Sequence, residues 1–141
     1  MLWSFLKGIP MNIRGIVLLI AVCASAQDKG VEWGKYLVEE VGKCQDCHTA
    51  RLPDGKLDES KWMKGATLNF QPIEPVKKWH KDAPNITPSG KIWAQWGEEG
   101  LVKFLTEGVN PKGNPADPPM SAYKLKKEDA RAMVDYLKTL K

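Results

Sequence analysis

The chain has 141 residues, 43% of them hydrophobic and 27% charged, a composition ordinary for one soluble globular unit and too short for a second catalytic domain. Lys and Arg number 21 against 17 Asp and Glu, but they are scattered singly or in pairs, which argues against a nucleic-acid-binding protein. The hydrophobic and charged fractions suggest neither a multi-span membrane protein nor a disordered chain.

At the N-terminus Arg14 precedes an apolar run from Gly15 to Ala24, followed by Ala24-Ser25-Ala26. A core of roughly ten apolar residues is too short for a membrane span, which takes about 20, and small-x-small is the pattern signal peptidase accepts. The sequence therefore predicts a signal peptide over residues 1–26, a single domain over 27–141 and a periplasmic location. Met11, with Asn12, Ile13 and Arg14 behind it and Pro10 before it, makes a more typical signal start than Met1. Cys23 is a candidate for lipidation, which would anchor the chain to a membrane, but Val22 is bulky where such a site takes Gly, Ala or Ser. Otherwise membrane association would come only through a partner.

Cleavage after Ala26 leaves Cys44 and Cys47 as the remaining cysteines, in an oxidising compartment. Before them, Trp33, Leu37, Val38 and Val41 fall at helical spacing with Asp28 as a cap, predicting a first helix from about Lys29 to Lys43 that ends at Cys44. From Thr49 to Pro88 five prolines and Asp54-Gly55 predict mostly loop, with short helical turns near Asp58 to Lys64 and Glu74 to Trp79. Helical spacing returns from Ile92 to Glu107, more strongly after Gly97, and Gly108 stands where a left-handed terminal residue is wanted. The proline-rich stretch from Asn110 to Pro119 predicts a rigid, poorly hydrogen-bonded loop. Ala130, Met133, Val134, Leu137 and Leu140 share a face of a last helix over about Lys126 to Leu140. No repeat and nothing beyond a hairpin is expected, so the fold class is mainly α.

Cys44-Gln45-Asp46-Cys47-His48 is a C-x-x-C-H motif, the pattern of c-type haem attachment. Two cysteines three residues apart on a helical turn can each form a thioether to a haem vinyl group, and the adjacent histidine then stands beneath the iron. The competing reading is a redox or zinc C-x-x-C site with His48 incidental. Export, the lack of a second ligand pair for zinc and the preceding helix weigh for haem.

The chain resembles the class I cytochromes c, and more narrowly the single-haem domains of bacterial periplasmic electron-transfer chains and dehydrogenase cytochrome subunits. The resemblance covers most of residues 29–141 and rests on the helix ending in the haem motif, Asn85-Ile86-Thr87-Pro88, Pro118-Pro119-Met120 and the closing helix from Glu128 to Leu140. It implies a cytochrome c fold in which the first and last helices cross and helices and loops enclose one covalent haem c. It also implies His48 and Met120 as the axial ligands of the iron, and a close helix crossing at Gly34 and Tyr136. A Met thioether is soft and neutral, so it favours ferrous iron and a higher potential.

His80 is the other mature histidine and competes with Met120, although Lys78, Trp79 and Lys81 around it suggest a surface setting. Met133, on the apolar face of the last helix, fits core filling, and Met63 sits in a weakly patterned segment. Trp62, Phe70, Trp79, Trp93 and Trp96 are candidates to wall the haem. The proline-rich stretch between His48 and the helix near Gly97 would cover a haem edge or form a docking surface.

With both axial positions filled by side chains, the expected role is an electron carrier between redox proteins such as a dehydrogenase, reductase or terminal oxidase, and no enzymatic activity. Lys124, Lys126 and Lys127 could form a basic rim for an acidic partner. The alternatives are a fixed cytochrome subunit of a larger dehydrogenase or oxidase, or a gas sensor or peroxidase in which Met120 leaves the iron open.

Overall fold

The computed structural model describes residues 30–141. The expected signal peptide, Met11 and Cys23 lie outside the described residues, as does Lys29, where the first helix was expected to begin.

Helix α1 runs over residues 30–36 as α-helix and continues as a π-helical segment, Leu37–Val41. The wider turn frees the Glu39 carbonyl, which accepts the Gln45 Nε2–H at 2.8 Å, so a backbone acceptor at the helix end is satisfied by the haem motif itself. Lys43 then takes a left-handed conformation, φ 48°, and turns the chain into α2, Gln45–His48. The single uninterrupted helix expected up to Lys43 is thus replaced by a helix, a π turn and a reversal.

The 49–88 segment is mostly loop, as its prolines dictate. A 3-10 turn forms at Glu59–Lys61, capped by Asp58 accepting from the Ser60 N–H. The turn expected near Glu74 to Trp79 does not become a helix; Pro75 removes a donor and Lys78 sits at φ 61°. Strands β1, Ala66–Thr67, and β2, Asp82–Ala83, pair antiparallel with Ala66 opposite Ala83. The hairpin gathers the long connection back to its root.

Helix α3 spans Lys91–Glu107 but bends at Gly97, whose φ of 61° and ψ of −177° only glycine adopts freely. Its second half buries Leu101, Val102 and Leu105, which is why the periodicity after Gly97 is the stronger. Gly108 ends it at φ 70°, its N–H bonded to the Phe104 carbonyl at 2.9 Å. Helix α4, Lys127–Thr139, starts with Glu128 and Asp129 and ends with Lys138, charges that suit the helix dipole at each end.

The 110–119 loop is better bonded than its prolines suggest. The Asn110 side chain accepts from the Lys112 and Asn114 N–H groups, and the Asn110 N–H returns to the Asn114 carbonyl at 2.8 Å. A short polar side chain that bonds its own backbone supplies what proline cannot.

The core forms where α1, α3 and α4 meet. Leu37, Val38, Leu101, Val102, Leu105, Ala130, Met133, Val134 and Leu137 are all buried there, together with Met63. A β-carbon on Gly34 would lie 1.9 Å from the Ala132 carbonyl oxygen and 3.0 Å from Tyr136 Cβ. The backbones of α1 and α4 therefore touch at the expected glycine and aromatic pair. Two polar ties hold the crossing: Trp33 Nε1–H donates to Asp129 at 2.9 Å, and the Tyr136 hydroxyl donates to Glu39. The molecule is mainly α with one minimal hairpin.

Candidate haem-binding site

A cavity of about 510 Å³ opens between α2, the hairpin, α3, the 110–121 loop and α4, and Cys44, Cys47, His48 and Met120 all line it. The volume is in the range of cofactor pockets. Its inner wall is apolar: Leu101, Leu105, Met133, Val134 and Leu137 are each buried and each face the space. Met133 serves the core as expected and also faces the cavity.

Backbone bonds within α2 and from it to its neighbours hold the motif. The His48 N–H donates to the Cys44 carbonyl at 2.9 Å, the Cys44 N–H to the Val38 carbonyl at 3.0 Å, and the Gly65 N–H to the His48 carbonyl at 2.8 Å. They fix both cysteines and the histidine to α1 on one side and to the hairpin on the other.

His48 is buried, and its Nδ1 lies 2.7 Å from the Pro84 carbonyl oxygen. A carbonyl can only accept, so Nδ1 carries the hydrogen and the Nε2 lone pair is left for a metal. Burial pushes the His48 pKa down, and the Pro84 bond opposes this in part. The ring is thereby kept neutral, the form that ligates.

Pro84 is held by the turn that follows it. Asn85 Oδ1 accepts from the Thr87 N–H at 2.8 Å and from Thr87 Oγ1 at 2.9 Å, and Thr87 is fully buried. The Ile86 N–H donates to the Met63 carbonyl at 3.0 Å, and the Ile86 carbonyl accepts the Trp93 indole N–H at 2.6 Å. The Asn-Ile-Thr-Pro string therefore acts as a knot that aims the carbonyl one residue before it.

Both thiols are free. Burial pushes Cys44 up to about 11, and it also raises Cys47, with Asp46 adding to the effect. A thiol–disulfide catalyst needs a thiolate stabilised below its ordinary pKa, so this pair has the opposite electrostatics. Among the described residues no cluster of three or more His, Cys, Asp or Glu could hold a metal ion, which disfavours the zinc reading. An apolar cavity with two thiols, a neutral oriented imidazole and a thioether on its walls fits a covalently held haem.

Met120 lies on the loop before α4, its N–H bonded to the Asp117 carbonyl at 3.1 Å. His80, the competing ligand, also lines the cavity, but its side chain is 63% exposed and its Nε2 stands 3.5 Å from Asp117. The surface setting expected for it is thus combined with a place at the cavity mouth.

Of the five aromatics considered, Trp96 faces the cavity, and Trp62, Phe70, Trp79 and Trp93 do not line it. Trp93 is diverted by its bond to Ile86, and Phe70 and Trp79 pack edge to face on each other at 5.8 Å. Phe104 and Tyr123 line the cavity instead. Phe104 could have been found from its place one turn beyond Gly100 and Leu101. No local signal marks Tyr123, whose hydroxyl reaches the Gly42 carbonyl at 3.4 Å.

Comparison with known proteins identifies the family of the chain. The cytochrome c family model matches residues 31–141. The chain is 35% identical over 112 residues to a diheme cytochrome c-type protein of Cereibacter sphaeroides, covering 76% of this chain and 34% of that protein. It is 30% identical over 148 aligned positions to the fructose dehydrogenase cytochrome subunit of Gluconobacter japonicus, covering 93% of this chain and 28% of that one. It is also 30% identical over 120 residues to a nicotinate dehydrogenase subunit of Pseudomonas putida, covering 79% of this chain and 9% of the relative. The chain thus spans about a third or less of the length of each of these relatives. With a family match over nearly all of its described residues and a cavity of this chemistry, the chain belongs to the cytochrome c family.

Proposed function

We propose that the chain binds one haem c through thioethers from Cys44 and Cys47, with His48 and Met120 as axial ligands, and carries single electrons between redox proteins. The observation that carries this reading is the convergence of all four side chains on one apolar cavity, with His48 already aimed by Pro84. The bound group supplies a reversible one-electron iron couple. The residues of the chain do the rest. Cys44 and Cys47 anchor, the Pro84 carbonyl holds the His48 tautomer and raises its basicity as a ligand, and Leu101, Leu105, Val134 and Leu137 exclude water. A thioether on one side and low dielectric around it favour the less charged, reduced state.

The cysteine spacing supports one haem on this stretch of chain: of its three cysteines, one pair has the attachment spacing. Two side-chain ligands leave no open position, so the reading is a carrier without catalysis of its own. Export through residues 1–26 to the periplasm is part of the same reading, since it brings Cys44 and Cys47 to an oxidising compartment.

A second reading is supported by the length of the relatives. Two of them are named as dehydrogenase subunits, and this chain matches 28% and 9% of them. The domain would then work as the electron outlet of a larger dehydrogenase rather than as a diffusing shuttle. Haem and iron quantitation on the matured protein tests the main proposal. One covalent haem per chain supports it; two haems, or one extractable into acidified organic solvent, contradict it.

A further inference from the structure

Met120 is held differently on its two sides. On the N-terminal side the Met120 N–H donates to the Asp117 carbonyl at 3.1 Å, the His80 N–H to the Pro118 carbonyl at 2.8 Å, and the Ala116 N–H to the Gly108 carbonyl at 3.1 Å. On the C-terminal side the next N–H with a backbone partner is that of Leu125, which donates to the Leu105 carbonyl at 3.1 Å. The N–H groups of residues 121–124 make no backbone hydrogen bond among the described residues. Such a stretch has little of its own to resist local opening.

Two contacts hold this stretch to the end of α3. A β-carbon on Gly108 would lie 3.0 Å from Ala122 Cβ, and Lys124 Nζ donates to the Glu107 carbonyl. None of these four residues lines the cavity.

Tyr123 ties the stretch to the other wall. It lines the cavity together with Met120, Gly42 and Cys44, and it packs against the core. Its hydroxyl donates to the Gly42 carbonyl at 3.4 Å. Gly42 in turn lies against the first cysteine of the motif, since a β-carbon on it would stand 3.1 Å from Cys44 Sγ. Burial raises the Tyr123 pKa, and Cys44 and Cys47 add to the effect, as expected of a phenol beside both. The hydroxyl bond is longer than the usual range of about 2.5–3.0 Å, so the packed ring carries more of the hold than the hydroxyl.

We propose that Tyr123 is a positioning residue for Met120: its ring pins the segment after Met120 to the turn bearing Cys44, and so keeps the thioether on the iron when the iron is oxidised. The proposal rests on the His48/Met120 reading and names the residue that makes the weaker of the two axial bonds durable. A soft thioether suits ferric iron less well than ferrous, so a loosened segment loses Met120 first in the oxidised state. The thioether bond at Cys44 fixes that edge of the cofactor, and a segment pinned at the same edge keeps its distance to the iron.

The test is a double-mutant cycle on the haem-loaded, oxidised protein with imidazole as the probe, since imidazole takes the position that Met120 vacates. With Met120 present, Tyr123→Ala should raise imidazole affinity at least about fivefold, equivalent to about 1 kcal/mol. In a Met120→Ala background the same change should alter it by less than about twofold. Tyr123→Phe keeps the ring and should match the wild type. Tyr123→Leu keeps bulk without the planar ring and should behave as Tyr123→Ala, so the test stands even where the Ala variant retains too little haem. An equal gain in both backgrounds means that the ring only blocks access to the iron and overturns the proposal, as does no gain with Met120 present or a Phe variant altered as much as Ala. If Met120→Ala alone leaves imidazole affinity unchanged, Met120 is not the ligand, and the ligation reading falls together with the proposal.

Discussion

His48 Nδ1 and the Pro84 carbonyl oxygen, 36 residues apart in the chain, stand 2.7 Å from each other. One backbone atom thereby fixes the tautomer and direction of the ring that faces the cavity. The Asn85 side chain holds that backbone in place through Thr87.

Replacing Asn85 with Ala removes two acceptor contacts at a buried threonine and loosens the Pro84 carbonyl. Stability should fall by about 1–3 kcal/mol in denaturant titration, the cost of leaving a buried hydroxyl and N–H unpaired. A weaker Nδ1–H bond makes His48 a poorer donor, so the reduction potential should rise by on the order of 40 mV, the one-electron equivalent of about 1 kcal/mol. A lower potential, or none of the destabilisation, would remove the role given to this turn.

At Gly34 there is no room for a side chain: a β-carbon would already overlap the Ala132 carbonyl oxygen. Gly34→Leu must push α1 away from α4, at a cost of about 3 kcal/mol or more. The expected result is reduced haem retention and lower thermal stability, with the spectrum of the haem that does remain unchanged. A variant of wild-type stability would show that the crossing is not as tight as the geometry requires.

Tyr136 gives a pH dependence with a definite sign. Burial, helped by the Glu39 carboxylate that accepts its hydroxyl hydrogen, pushes its pKa from 10.0 up to about 12. The folded state then binds the phenolic proton more tightly than the unfolded state does. Its contribution is complete below about pH 10 and is lost as pH rises toward about 12. Unfolding of the holoprotein followed across that window should steepen in the wild type and be blunted in Tyr136→Phe, and identical profiles would rule the linkage out.

The parts of this molecule legible in the sequence are those written locally. Cys44, Cys47 and His48 are contiguous, Gly34 and Tyr136 sit on helices with clear periodicity, and Gly108 stands at the end of one. The brace on His48 was not legible, because it is a carbonyl and any residue at position 84 has one. The choice of Trp96 over four other aromatics depends on the bend at Gly97 and on competing partners such as the Ile86 carbonyl, which are tertiary facts. The π turn at Leu37–Val41 likewise leaves no periodic trace, since five residues are too few to shift a pattern. The bonded state of the 110–119 loop was hidden behind its prolines, although Asn110 was the signal that could have revealed it.

Met120 and His80 both face the cavity, and the ligand of the iron opposite His48 decides between a closed carrier and an open haem. The decisive measurement is the near-infrared spectrum of the oxidised holoprotein, taken for the wild type, Met120→Ala and His80→Ala. The weak charge-transfer band of Met-to-ferric-haem ligation should be present in the wild type and in His80→Ala and absent in Met120→Ala. Carbon monoxide should bind the reduced form readily only in Met120→Ala. A wild type without the band, or one that loses it with His80, would contradict His48/Met120 ligation and the carrier built on it.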